Sequence, residues 1–146
     1  MAYLSIVPAY CRRFLSDDLA PVPHSLAELE TPVHDGLPKS ALAAGVQHIV
    51  TDADSRRTLR GRTIPEATYK RRRDRLTTNE SEKAERLARV YATAAYVWDD
   101  PRDARAFLAT PHPELEGRLP VDVALTELGA RRVESLLWQI FYGLPT

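Results

Sequence analysis

One cysteine, Cys11, stands among 146 residues. It has no disulfide partner within the chain and no CxxC spacing, so a disulfide-stapled fold is excluded and a reducing cytoplasm is the expected setting. The four histidines, His24, His34, His48 and His112, are scattered without an HxxxH or HExxH spacing, so no metal site is expected. Six glycines stand singly, and none belongs to a glycine-rich loop that would cradle a phosphate. No apolar run approaches the roughly 18 residues of a membrane span. The opening MAYLSIVPAYCRRF also lacks the basic-then-apolar order of a secretory signal. Acid pairs at Asp17–Asp18 and Asp99–Asp100 precede turns or helices, where capping accounts for them. These absences leave no catalytic constellation and no cofactor, and an enzyme is not expected.

What is present is an ordinary composition, 44 % hydrophobic and 27 % charged, with length enough to bury roughly two thirds of the unfolded surface. The net charge is zero, but it is segregated. Residues 56–75 hold nine Lys or Arg (Arg56, Arg57, Arg60, Arg62, Lys70, Arg71, Arg72, Arg73, Arg75) against Glu66 and Asp74, a net of +7, so the other 126 residues sum to −7. A positive belt on an acidic body suits a polyanion partner.

Along the chain, residues 1–36 carry four prolines and no sustained period, and an irregular N-terminal arm is expected. Helical spacing begins after Pro38, with Leu42, Val46, Ile49 and Val50 on one face. A short helix over about 54–60 is expected to end at Gly61. Thr63-x-x-Glu66 then reads as a capping box for a helix running to about Leu76. Asn79-x-x-Glu82 reads as a second box for the longest helix, about 80–98, whose face is Leu87, Val90, Tyr91, Ala94 and Trp98. No strand-like alternation persists, so the fold class is all-α. A helical lobe over about 37–78, a connecting helix over 79–99 and a small lobe over 100–146 divide the chain after its arm.

Two stretches carry candidate chemistry. The first is the basic one: two short helices and a third bearing Thr68, Tyr69, Lys70, Arg71, Arg72 and Arg73 read as a helix-turn-helix with a basic recognition helix. Lys and Arg neutralise phosphates and Arg also grips guanine edges. The alternative is a solvated face laced by pairs such as Glu66–Lys70. The second is the last third of the chain. Asp100 and Pro101 start a helix presenting Ala104, Phe107 and Leu108, and Pro111 and Pro113 stop it. Gly117 and Pro120 mark a turn. A final helix from about Thr126 places Gly129, Val133, Leu136, Leu137, Ile140 and Phe141 on one face, and Gly143 ends it. Ile140 and Phe141 are expected to help complete the core. Yet Trp138, Phe141 and Tyr142 cannot all point inward from one turn, and Leu144 lies beyond the stop, so part of this end is left for another protein.

Ala104, Phe107, Leu108, Pro111, Leu115, Gly117, Pro120, Gly129, Val133, Leu137 and Gly143 fall in register with the C-terminal toxin-binding domain of the Xre/MbcA/ParS antitoxins, which this stretch resembles. Phe107 stands where that family usually has tryptophan. In the basic lobe, Thr68 and Arg71–Arg72 fall where the Xre-like helix-turn-helix has a threonine followed by paired arginines. The resemblance implies the antitoxin of a type II toxin–antitoxin system, whose partner is a RES-domain toxin (the ParT type), related to NAD-consuming ADP-ribosyltransferases. It implies occlusion of the toxin's active site by the C-terminal lobe, and repression of the operon through operator DNA by a homodimer or a complex with the toxin. The residues it implicates in toxin binding are Trp138, Phe141, Tyr142, Gly143, Leu144, Pro145 and Thr146. Arg131 and Arg132 either meet acidic toxin groups or form a solvated face. For DNA they are Arg56, Arg57, Arg60, Arg62, Thr68 to Arg73 and Arg75. A stand-alone transcription regulator with a C-terminal dimerisation lobe is the competing expectation.

Overall fold

Residue 77 decides where the longest helix begins. The Thr77 hydroxyl accepts from the Glu80 backbone N–H at 3.2 Å, and the Glu80 carboxylate accepts from the Thr77 N–H at 2.9 Å. This reciprocal box starts the helix two residues before the expected Asn79 box. It wins because Glu80 is also gripped from outside by Arg72, at 2.9 and 3.0 Å. The computed structural model describes residues 25–144, and among them it is all-helical.

The described helices are α1 (Leu26–Asp35), α2 (Lys39–Ile49), α3 (Ala53–Thr63), α4 (Glu66–Arg71), α5 (Thr78–Trp98), α6 (Pro101–Leu108), α7 (Pro120–Val123) and α8 (Glu127–Phe141), with a 3-10 turn at Pro113–Leu115. At 1.5 Å per residue α5 is about 31 Å long, and the rest of the fold is arranged along it. α1, α2, α3, α6 and α8 all pack on it. Its buried residues include Ser81, Ala84, Leu87, Ala88, Val90, Tyr91 and Ala94. Small residues on this helix let its neighbours approach, while Leu37, Leu42, Ile64, Leu108, Leu115 and Leu137 are fully buried around it. Each large aliphatic side chain so buried contributes about 1.5–3 kcal/mol. Trp98, expected on the same face, is 38 % exposed: the helix ends at Asp99 in the left-handed region (φ 52°), and Phe107 of α6, its ring 6.1 Å away, covers Trp98 only in part.

Before Pro38 the expected irregular arm gives way to a helix over its last ten residues. Ser25 caps α1 by accepting from the Glu28 N–H at 3.1 Å, and the helix continues through Pro32. The preceding 24 residues lie outside the described ones.

A clip follows. Leu76 N–H donates to the Leu37 carbonyl at 2.9 Å and Lys39 N–H to the Asp74 carbonyl at 2.8 Å. Leu37 N–H donates to the buried Ser81 hydroxyl at 2.8 Å. Gly36 sits inside the clip at φ 104°, and a Cβ there would be driven into the Leu76 carbonyl.

This clip explains two departures from expectation. The basic helix α4 stops at Arg71 after six residues, because 74–76 are needed as extended chain against 37–39. The Thr63–Glu66 box is not made either. Thr63 belongs to the end of α3, with its hydroxyl bonded to the Leu59 carbonyl at 2.8 Å. Gly61 is likewise within α3 and does not end it.

The C-terminal part follows the sequence pattern closely. Asp100 caps α6 through the N–H groups of Arg102 and Asp103, at 2.7 and 3.3 Å, with Pro101 in the first turn. Ala104, Phe107 and Leu108 are buried. Thr126 caps α8 by accepting from the Gly129 N–H at 3.0 Å. A Cβ on Gly129 would collide with the backbone carbonyl of Val123 at the end of α7. That close approach is why the position is glycine. At the other end of α8, Gly143 at φ 67° closes a Schellman motif: Leu144 N–H donates to the Gln139 carbonyl at 2.8 Å and Gly143 N–H to that of Ile140 at 3.2 Å.

α8 is bound to α5 by charge as well as by packing. Arg89, largely buried on α5, reaches Glu134 at 2.7 Å, Glu85 at 3.2 Å and Glu127 at 3.4 Å. Burial alone would lower its pKa, but the carboxylates Glu85, Glu134 and Glu127 outweigh it and hold the guanidinium charged. Arg86 adds an ion pair with Glu127 at 3.1 Å and a hydrogen bond to the Leu125 carbonyl at 3.1 Å.

Candidate functional site

Two candidate surfaces lie near the ends of α5. The basic one sits over its first turn, where Arg72 meets Glu80. The aromatic one surrounds its last turns, at Tyr96 and Trp98. Sixteen residues of helix from Glu80 to Tyr96 place these features about 24 Å apart along the axis.

On the basic surface the structure separates cations that hold the fold from cations that face outward. Arg72 is bound by Glu80, whose carboxyl that partner holds below the usual carboxylate range. Arg75 donates to the Gly36 carbonyl at 2.8 Å and so fastens the clip. Arg56 donates to the Val50 carbonyl at 3.1 Å. Arg62 is paired with Asp122 of α7 at 2.6 Å.

Tyr69 is half-buried, with its hydroxyl donating to the Lys39 carbonyl at 3.3 Å. Its ring is flanked by the Lys39 ammonium at 4.5 Å and the Arg60 guanidinium at 4.9 Å. These contacts build the lobe rather than a groove-facing edge, and burial pushes the phenol's pKa up. Arg62 and Arg75 are exposed despite these contacts, and so are Arg57, Lys70, Arg71 and Arg73. Arg57 and Lys70 share Glu66 at 3.7 and 3.1 Å, and Arg71 leans on the Thr68 hydroxyl at 3.3 Å. Such exposed pairs are worth about 0–1 kcal/mol and are readily exchanged for a phosphate. α3 and α4 are joined through Ile64 and Pro65 alone, one residue shorter than the usual three- to four-residue helix-turn-helix connection.

At the other end, Trp138 is half-buried, and Phe141, Tyr142 and Leu144 are exposed. Phe141 therefore does not complete the core as expected, and Ile140 is only half-buried. The rings form one cluster. Trp138 lies 5.8 Å from Tyr96, 5.6 Å from Phe141 and 6.2 Å from Tyr142, and Phe141 meets Tyr142 edge-on at 5.1 Å.

Tyr96 was not singled out by sequence. It is exposed, and its ring stands 5.5 Å from that of Phe141. Its position, five residues after Tyr91 on the same helix, was the available signal. Contiguous exposed aromatics of this kind mark contact sites. Pro145 and Thr146 lie outside the described residues. Arg131 and Arg132, also on α8, are both engaged within the chain: Arg131 with Glu127 at 3.3 Å, Arg132 with Glu116 at 2.5 Å and the Glu114 carbonyl at 3.2 Å. Beside them Leu128, which sequence reasoning passed over, is 74 % exposed.

Among the described residues no group of three or more His, Cys, Asp or Glu is arranged to hold a metal, and no helix is long and apolar enough to cross a membrane. His34 lies beside Asp35 at 3.4 Å, His48 beside the Tyr91 ring at 6.0 Å, and His112 caps the 3-10 turn by accepting from the Glu114 N–H at 3.1 Å. Cys11 and His24 lie outside the described residues.

Comparison with known proteins matches both halves. A family model described as the antitoxin Xre-like helix-turn-helix domain matches residues 28–89. One described as the antitoxin Xre/MbcA/ParS C-terminal toxin-binding domain matches residues 93–143. The chain is also similar to the antitoxin Xre of Pseudomonas putida, 33 % identical over 87 residues. That alignment covers 58 % of this chain and 55 % of the relative, so the match spans about half the relative's length. With the two domains in this order along one continuous helix, the chain belongs to the Xre/MbcA/ParS family of antitoxins.

Proposed function

We propose that this protein is the antitoxin half of a type II toxin–antitoxin pair, acting as a plug and not as a catalyst. The C-terminal lobe docks on a RES-domain (ParT-type) toxin and closes its NAD-consuming, ADP-ribosyltransferase-like active site. The helix-turn-helix lobe binds operator DNA, as a homodimer or together with the toxin, and represses the operon from the cytoplasm. The observation that carries this reading is the ring cluster of Tyr96, Trp138, Phe141 and Tyr142 at the C-terminal end of α8, with Leu144 fixed beyond it by the Schellman turn. A chain that needed those rings only for its own stability would bury them.

The experiment is co-expression with the adjacent reading frame. That neighbour should arrest growth when expressed alone and co-purify with this protein when both are made. Deleting Gly143 to Thr146, or changing Phe141 and Tyr142 together to Ala, should release toxicity while the fold persists. Equal neutralisation by these forms would defeat the plug reading. A protein that represses DNA and self-associates through these rings, with no toxic neighbour, would be the stand-alone regulator instead.

A further inference from the structure

Beside the ring cluster, where α5 hands over to α6, lies a cleft of about 400 Å³. Its walls include Trp98, Phe107, His112 and Ile140, and its polar groups include Asp103 and Thr110. Trp98 and Phe107 stand 6.1 Å apart at 40°, and Phe107 and His112 6.2 Å apart at 59°, so three rings wrap one hollow.

The polar groups around the hollow are unequal. The Thr110 hydroxyl already donates to the Ala106 carbonyl at 2.6 Å, and His112 Nδ1 accepts from the Glu114 N–H. Asp103 is exposed and has no side-chain bond or ion pair among the described residues, since the neighbouring α6 cap is made by Asp100. Among the described residues Asp103 is thus the one formal negative charge lining the hollow, beside aromatic rings whose faces carry negative quadrupoles. Such a site favours a cation on an apolar stem. The stem lies against Trp98 and Ile140, the charge is shared between ring faces and carboxylate, and a neutral or anionic group gains neither.

The geometry points to a pocket for one basic side chain, an arginine or lysine, of the protein that docks on the adjoining aromatic surface. The assignment rests on reading that surface as the partner's footprint, but it is tested without any partner. In the full chain with 15N-labelled tryptophan and histidine, the Trp98 and Trp138 indole signals are assigned with Trp138→Phe and the His112 ring signal with His112→Gln. n-Butylguanidinium is then titrated at fixed ionic strength, with n-butylurea, neutral and of similar shape, as the control.

The expected result is a saturable shift of the Trp98 indole and the His112 ring. Butylurea should bind at least about fivefold more weakly, as should butylguanidinium to Asp103→Asn, a surface change that leaves the α6 cap in place. Urea and guanidinium forms binding alike, an unaltered titration in Asp103→Asn, or shifts confined to Trp138 would each overturn the pocket. None of those outcomes touches the plug reading, which stands or falls on the co-expression test.

Discussion

Two glycines in helices should respond in opposite ways to the same substitution. Gly129 and Gly61 both have helical backbone, so alanine at either gains up to about 1 kcal/mol of intrinsic propensity. At Gly61 the new methyl meets no atom within 4 Å, and Gly61→Ala is expected to stabilise by about 0.5–1 kcal/mol. At Gly129 the methyl is driven into the backbone carbonyl of Val123 and close to the Thr126 hydroxyl that caps α8. A carbonyl fixed at the end of α7 cannot rotate aside as a side chain can. α8 must back away, loosening Ala130 and Val133, which are fully buried.

Overpacking of this kind costs about 1–3 kcal/mol, and a weakened cap adds about 1. Set against the propensity gain, a net loss of about 2 kcal/mol is expected for Gly129→Ala. For a chain of this size that lowers the midpoint by about 6 °C, while Gly61→Ala raises it by about 2–3 °C. Thermal melts followed by circular dichroism, with urea midpoints at unchanged m-value, measure both. A Gly129→Ala protein melting at or above the parent would refute the argument that glycine is there for close approach.

Arg89→Met should lower stability by about 2–4 kcal/mol, because it removes the cation that the mostly buried Glu134 meets at 2.7 Å; urea unfolding at pH 7 reads this, and a neutral effect would mean that the network is ornamental. The Arg72 partner depresses the Glu80 pKa, so the stability it adds is present above the ordinary carboxylate range near pH 4.5 and lost as pH falls through the lower folded value. Glu80→Gln should therefore be less stable at pH 7 and show a flatter acid limb, and an unchanged limb would place the acid sensitivity elsewhere. In the proposed DNA complex, changing Lys70, Arg71 and Arg73 together to Ala should reduce the slope of log affinity against log salt by about 0.9 for each phosphate no longer neutralised. Arg72→Ala should instead show itself in thermal stability, and equal DNA effects for the two variants would contradict the division of cations.

Much of the C-terminal part was readable because its signals are local. Asp100 and Pro101 lie at a helix start, Ala104, Phe107 and Leu108 share a face four residues wide, and Gly143 follows the last periodic residue. The basic lobe was read less well because its determinants are distant in sequence. KRRRDRL has good helical propensity, yet the pairing of 74–76 with 37–39, nearly forty residues away, takes the last part of it for extended chain. In the same way nine clustered cations announce a charge without naming its partner. Asp122 lies sixty residues from Arg62, and Gly36 thirty-nine from Arg75. Periodicity also assigned Trp98 to the right helix but not to its environment, since a spacing rule cannot say where the covering element stops.

The two matched segments change over at residues 90–92, within α5, where Val90, Tyr91 and Ala92 are all buried. There is no hinge between them to sever. A single proteolytic nick at that point would leave each fragment with half a rod whose greasy side faces water, so both lobes would be disarmed in one event.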